Sequence, residues 1–188
     1  MARTYNSRRR TESAERTRQA IVEAAVRMHN QGITTMSAVA EEAGVSLPTV
    51  NKYFPTREDL FTACTGHVTT TVDYPSPQAI AAIPDCKARV QAAVAATFRL
   101  HEDMLGVSWT GYKLEDESPV MAKTMSDYEA FVGMMVDALQ VERTDPRHAF
   151  AQALLSPLTY RVLRVKKGMD LDDAVHYTTQ ALTSLIDA

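Results

Sequence analysis

The side chains best suited to chemistry lie between Thr35 and Arg57. Asn51 carries a carboxamide, which can donate to and accept from an adenine edge at once. Leu47 and Pro48 are apolar and of a size to meet a thymine methyl. Thr35 opens a short helical pattern, and unpaired N–H groups at such an end favour a phosphate. Ser46 heads the next pattern as a cap. The chemistry this set would perform is hydrogen bonding to duplex DNA, with no covalent step.

Two short helices must position these groups. The first starts at Thr35, a plausible N-cap, and would turn Met36, Val39, Ala40 and Ala43 inward. Gly44 supplies the left-handed residue of a tight turn, and Val45 anchors that turn. The second is capped by Ser46, tolerates Pro48 in its first turn, and is stopped by Pro55. This is helix-turn-helix spacing, in which the second helix lies in the major groove. A helix over about 14–30, with Ile21, Ala25 and Met28 on one face, precedes the pair and ends at Gln31-Gly32. A fourth opens at Thr56-Arg57-Glu58-Asp59 with capping-box spacing.

In its residues the segment resembles the TetR (tetracycline-repressor-like) family of bacterial regulators. The matching positions are Ala24-Ala25, Thr35, Val39-Ala40, Ala43-Gly44-Val45-Ser46, Thr49-Val50, Tyr53-Phe54, Arg57-Glu58 and Leu60. They span about residues 16–62, roughly a quarter of the chain. The rest fits the family's ligand-binding and dimerisation domain by length and class only. The resemblance implies a homodimer that binds a palindromic DNA operator and releases it on binding a small-molecule effector. It also implies backbone phosphate contacts for Thr49, Lys52, Tyr53 and Arg57. Two positions depart from the common pattern. Pro48 stands where many members have Gly, and Asn51 where many have Tyr.

Charge distribution agrees with one-ended contact to a polyanion. Through Arg57 there are nine Lys and Arg against five Asp and Glu; beyond it, eleven against eighteen. Residues 1–12 hold Arg3, Arg8, Arg9 and Arg10 with little apolar content, and read as a disordered basic arm. Residues 13–62 then form the helix-turn-helix domain and 63–188 the effector-binding and dimerisation domain. No apolar run reaches the roughly 18 residues of a membrane span. Two cysteines fit no disulfide framework, and a cytoplasmic location is the simplest expectation. Cys64, His67 and Cys86 do not complete a zinc motif. No phosphate loop or nucleophile elbow occurs, so neither an enzyme nor a cofactor is expected.

The expected fold is all-α: an N-terminal three-helix DNA-binding domain plus a C-terminal helical bundle. After the breaker Asp73-Tyr74-Pro75-Ser76-Pro77, helices are expected over about 85–103, 106–115, 119–139, 146–165 and 170–187. Phe98, His101, Trp109, Tyr112, Met125 and Tyr128 combine ring faces or sulfur with polar tips, and are the candidates for an effector cavity. Leu154, Leu158, Val162, Val175, Leu182 and Leu185 form apolar stripes on the last two helices. They are the candidate core of a two-fold four-helix interface.

Overall fold

The computed structural model describes residues 2–187, with side chains from residue 9 onward. The described residues are helical and contain no strand. Among the described residues eleven α-helices run in the order α1 (Ala2–Asn30), α2 (Met36–Glu42), α3 (Leu47–Tyr53), α4 (Arg57–Thr71), α5 (Pro77–Ala81), α6 (Cys86–Asp103), α7 (Leu105–Leu114), α8 (Pro119–Asp137), α9 (Pro146–Leu155), α10 (Pro157–Arg161) and α11 (Leu171–Asp187). A π-helical turn, Val162–Lys166, follows α10. No helix among the described residues is long and apolar enough to cross a membrane.

The chain divides into two compact units. The first comprises residues up to Thr71 together with Thr110–Ala122. The second comprises Val72–Trp109 and the chain from Lys123 onward.

In the first unit, α1 continues back to Ala2 through the segment expected to be a disordered arm. No glycine or proline interrupts residues 2–30, and arginine is a good helix former, so nothing stops the helix. Ile21, Val22, Ala24 and Ala25 of α1 are buried with Val39 and Ala40 of α2, Val50 of α3, Phe54, and Leu60 and Cys64 of α4. Burial pushes the Cys64 thiol up to about 12, so it stays protonated. Its nearest hydrogen-bond acceptor is the Val22 carbonyl, at 3.9 Å. Among the described residues no cluster of His, Cys, Asp and Glu could hold a metal ion.

In the second unit, α6 packs most extensively on α11, and both touch α9. Val90, Val94 and Phe98 of α6 are buried, as are Met135, Leu139, Leu155, Tyr160 and Leu182, and the Phe98 and Tyr160 ring centres lie 4.7 Å apart. The helix expected over 146–165 is divided at Ser156, whose ψ of 143° is extended. Pro157 then begins α10 with Ser156 as its cap. Proline cannot donate to the preceding turn, which explains the break. The Leu155 carbonyl, freed there, accepts from His101 Nε2 at 2.8 Å. A carbonyl only accepts, so Nε2 carries the proton. Nδ1 therefore accepts from the Tyr128 hydroxyl at 2.6 Å, and the ring is neutral. Farther along, Arg164 grips Glu102 through two bonds of 2.6 and 3.0 Å, and Tyr160 donates to the same carboxylate at 2.5 Å. Arg164 holds the Glu102 carboxyl below its usual range.

Burial lowers His101 to about 4 against the opposing pull of the Leu155 carbonyl. It does the same to His29, which lies edge-on to Phe61 at 5.3 Å. A histidine depressed in the folded state takes up its proton more readily in the unfolded chain. The stability from these neutral rings is complete above pH 6.5 and is lost as the pH falls towards about 4. At full effect each ring is worth roughly 3 kcal/mol. Thermal melts should therefore fall steeply between pH 6.5 and 4, with a shallower slope for His29→Gln. Equal slopes in the two proteins would remove His29 from the account.

Candidate nucleic-acid interface

A seven-residue helix is too short to hold itself, because an isolated helix needs roughly 12–15 residues. Helix α3 is held from one side. Val50 is fully buried, and Phe54, its C-cap residue, is 1% exposed. Each such side chain contributes about 1.5–3 kcal/mol of apolar burial. The guanidinium of Arg18 lies over the Phe54 ring at 5.0 Å. The opposite face presents Leu47, Pro48, Asn51 and Lys52, all exposed. Their spacing of one, three and one residues puts them on a single side of the helix.

The caps fix where this face starts. Ser46 Oγ accepts from the Thr49 amide at 3.3 Å and lies 2.8 Å from the Thr49 hydroxyl. Thr35 Oγ1 accepts from the Ala38 amide at 3.4 Å. Thr35 and Ser46 thus cap their helices while remaining exposed. Between the two helices Gly44 has φ +66°, the left-handed region that favours glycine. Its amide bonds back to Glu41, and that of Val45 to Ala40.

Two of the candidate cations lie against aromatic rings. The Lys52 ammonium is 5.9 Å from the Tyr53 ring centre, and the Arg57 guanidinium is 5.2 Å from that of Phe61. Thr49, Tyr53 and Arg57 are half-buried. Arg57 opens α4, whose start is fixed by a complete capping box. The Thr56 amide donates to Asp59 Oδ2 at 3.0 Å, and the Asp59 amide donates to Thr56 Oγ1 at 3.1 Å. Arg27 is paired with Glu42 at 2.6 Å, a link between α1 and α2 that the sequence did not disclose.

The candidate effector residues do not form one group. Phe98, His101 and Tyr128 do come together in the second unit, with ring centres 5.6–6.0 Å apart. Both His101 nitrogens are engaged there, as described above. Met125 is buried. Trp109 lies instead under the Arg161 guanidinium, 4.2 Å from its ring centre. Tyr112 falls in the first unit. Arg161 was not expected as a partner; the Ser156-Pro157 pair, which restarts the helix before it, was the available signal. Of the interface candidates, Leu158 and Val162 are exposed, and Leu154, Val175 and Leu185 are half-buried. Leu182 is fully buried inside its own subunit, so it cannot line a surface. Phe150, Val165 and Tyr177 are large exposed apolar side chains on the same run of elements.

Comparison with known proteins agrees with this geometry. Residues 21–64 match the family described as bacterial regulatory proteins, tetR family. Several solved structures are similar over most of their length. A putative TetR-family transcriptional regulator from Mesorhizobium loti is 14% identical, with a TM-score of 0.68 over 93% of this chain and 96% of that one. LfrR from Mycobacterium smegmatis, a TetR-like regulator solved with proflavine, is 26% identical, with a TM-score of 0.57 over 92% and 97%. NalD of Pseudomonas aeruginosa, the secondary repressor of the MexAB-OprM multidrug efflux pump, is 19% identical, with a TM-score of 0.58 over 92% and 96%. No curated protein matches the sequence. The fold and the helix-turn-helix define a DNA-binding transcriptional regulator. Residues 21–64 carry the tetR-family match, and over the rest of the chain the similarity to TetR-family structures is one of fold.

The turn between α2 and α3 can be tested against a second glycine. A Cβ at Gly44 meets no atom within 4 Å, so Gly44→Ala carries only the strain of its positive φ. It should destabilise by about 1–2 kcal/mol. Gly66, inside α4 and equally open, lacks that φ. Gly66→Ala should stabilise by about 0.5–1 kcal/mol. Chemical denaturation of both variants checks the opposite signs.

Proposed function

We propose that the protein is a repressor that binds a palindromic operator as a homodimer and is released by a small-molecule effector. The observation that carries the reading is the two-faced α3, anchored by Val50 and Phe54 and exposing Leu47, Pro48, Asn51 and Lys52. Asn51 reads an adenine, and Leu47 and Pro48 meet a thymine methyl. Thr35, Ser46, Thr49, Lys52, Tyr53 and Arg57 hold the phosphate backbone. Two copies related by a two-fold axis would set their reader helices about 34–36 Å apart. The repressor role draws support from NalD, and effector binding from the proflavine complex of LfrR. A cytoplasmic location follows from such a role.

The dimer reading rests on the exposed Leu158 and Val162, flanked by Leu154, Val175 and Leu185. Phe150, Val165 and Tyr177 are further exposed apolar side chains of the same unit. The effector would engage Phe98, Met125, Tyr128 and Trp109, with His101 and Tyr112 as further candidates. One observation favours a regulator without such an effector. The His101–Tyr128–Leu155 cluster is closed by its own hydrogen bonds. A thermal-shift titration with proflavine and a panel of planar metabolites separates the two readings. No shift and no loss of DNA binding across the panel would favour the second.

Selection from a random duplex pool should enrich a palindrome with half-sites about one helical turn apart. Asn51→Ala should relax the preference at one base position, at about 1–3 kcal/mol. Arg57→Ala should weaken all sequences alike and lower the slope against salt by about one. An unstructured pool after selection would refute the DNA-binding reading. Sedimentation tests the dimer separately: Leu158→Asp with Val162→Asp should yield monomers, because each buries a charge at the interface.

A further inference from the structure

We propose that Ser118 and Glu58 are a positioning pair for the DNA interface, resting on the DNA-binding reading above. Ser118 is 1% exposed and heads α8. Its hydroxyl oxygen accepts from the Met121 amide at 3.2 Å, the bond of an N-cap. Its one hydroxyl proton goes to Glu58 Oε2 at 2.8 Å. The Val120 amide points to the same carboxylate oxygen at 3.4 Å. An N-terminal capping box usually takes its carboxylate from three residues farther along the same helix. In α8 that position is Met121, which has none. The first turn of α4 supplies the carboxylate instead.

Glu58 therefore sits at two helix N-termini at once. It lies in the first turn of α4 and caps the first turn of α8. Negative charge is favoured at both places. The residue before it is Arg57, the proposed phosphate contact. Residues 110–122 meet the rest of this unit at a second point, where the Thr110 hydroxyl donates to the His29 carbonyl at 2.7 Å. Two bonds from one hairpin thus hold the last turn of α1 and the first turn of α4. The Thr56–Asp59 box starts α4, and the Ser118 bond anchors that first turn to the start of α8, and so sets where the Arg57 guanidinium stands.

Nothing in this arrangement touches DNA, so a loss of affinity must act through the position of α4. The test uses the full chain and the duplex enriched by selection. Ser118→Ala and Glu58→Ala should each weaken binding about tenfold, the size of one charge-assisted hydrogen bond. The double variant should be no weaker than the weaker single one, because the anchor of α4 that the two residues share is already lost in either. The salt slope should fall by about one in all three, as when a phosphate contact is lost. Val132→Ala, a core change in the second unit, controls for stability and should leave that slope unchanged. Wild-type affinity in Ser118→Ala, or losses that add in the double variant, would overturn the proposal. If the unaltered protein enriches no duplex, the DNA-binding reading falls. Hydrogen exchange then decides the positioning claim alone. Faster exchange at the Leu60 and Phe61 amides in Ser118→Ala supports it, and unchanged protection defeats it.

Discussion

The interface depends on burying one face of a helix that is too short to persist unaided. Val50 and Phe54 hold α3 in the core of the first unit. With only seven residues, little of its stability can come from its own hydrogen bonds. Tertiary packing therefore supplies the rigidity, and the residues that face away are free to vary without loss of the helix. The same division explains the placement of Gly44. The turn must bring α2 and α3 close enough to share Val39, Ala40 and Val50 in one core, and a left-handed residue does so in the shortest space.

Three elements that begin with a capping residue next to a clear helical period are legible in the sequence. Ser46, Asp85 and Asp145 each accept from an amide two or three residues on, at the starts expected for α3, α6 and α9. The break inside the region 146–165 was not read, though Ser156-Pro157 carries the same kind of signal. The apolar stripe through Leu154, Leu158 and Val162 keeps its helical period across the break, so periodicity alone hides it. The five residues of α5 lie between breakers and are too few to show a period. The start of α1 was missed for the opposite reason. Its polar sequence carries no apolar period to reveal a helix, yet nothing in it opposes one.

Side-chain partnerships across long separations were out of reach. Glu102 and Arg164 lie 62 residues apart, and Glu58 and Ser118 lie 60 apart. No local pattern announces either bond. The outward face of α3 was legible because a motif of fixed spacing places it. The candidate effector residues were chosen by type alone, and type does not say which of them share a space. Thus Trp109 stacks under a cation from an element whose restart went unread, and Leu182 turns inward to the core of its own subunit.

At the end of α10 the Arg161 guanidinium stacks on the indole of Trp109. That residue is the only tryptophan in the chain. Excitation at wavelengths that spare tyrosine would thus interrogate a single known place in the protein. A guanidinium that slides off the ring changes the polarity the excited indole senses, and the emission maximum moves with it. The molecule carries an intrinsic optical probe of one cation–aromatic contact, needing neither a dye nor a substitution.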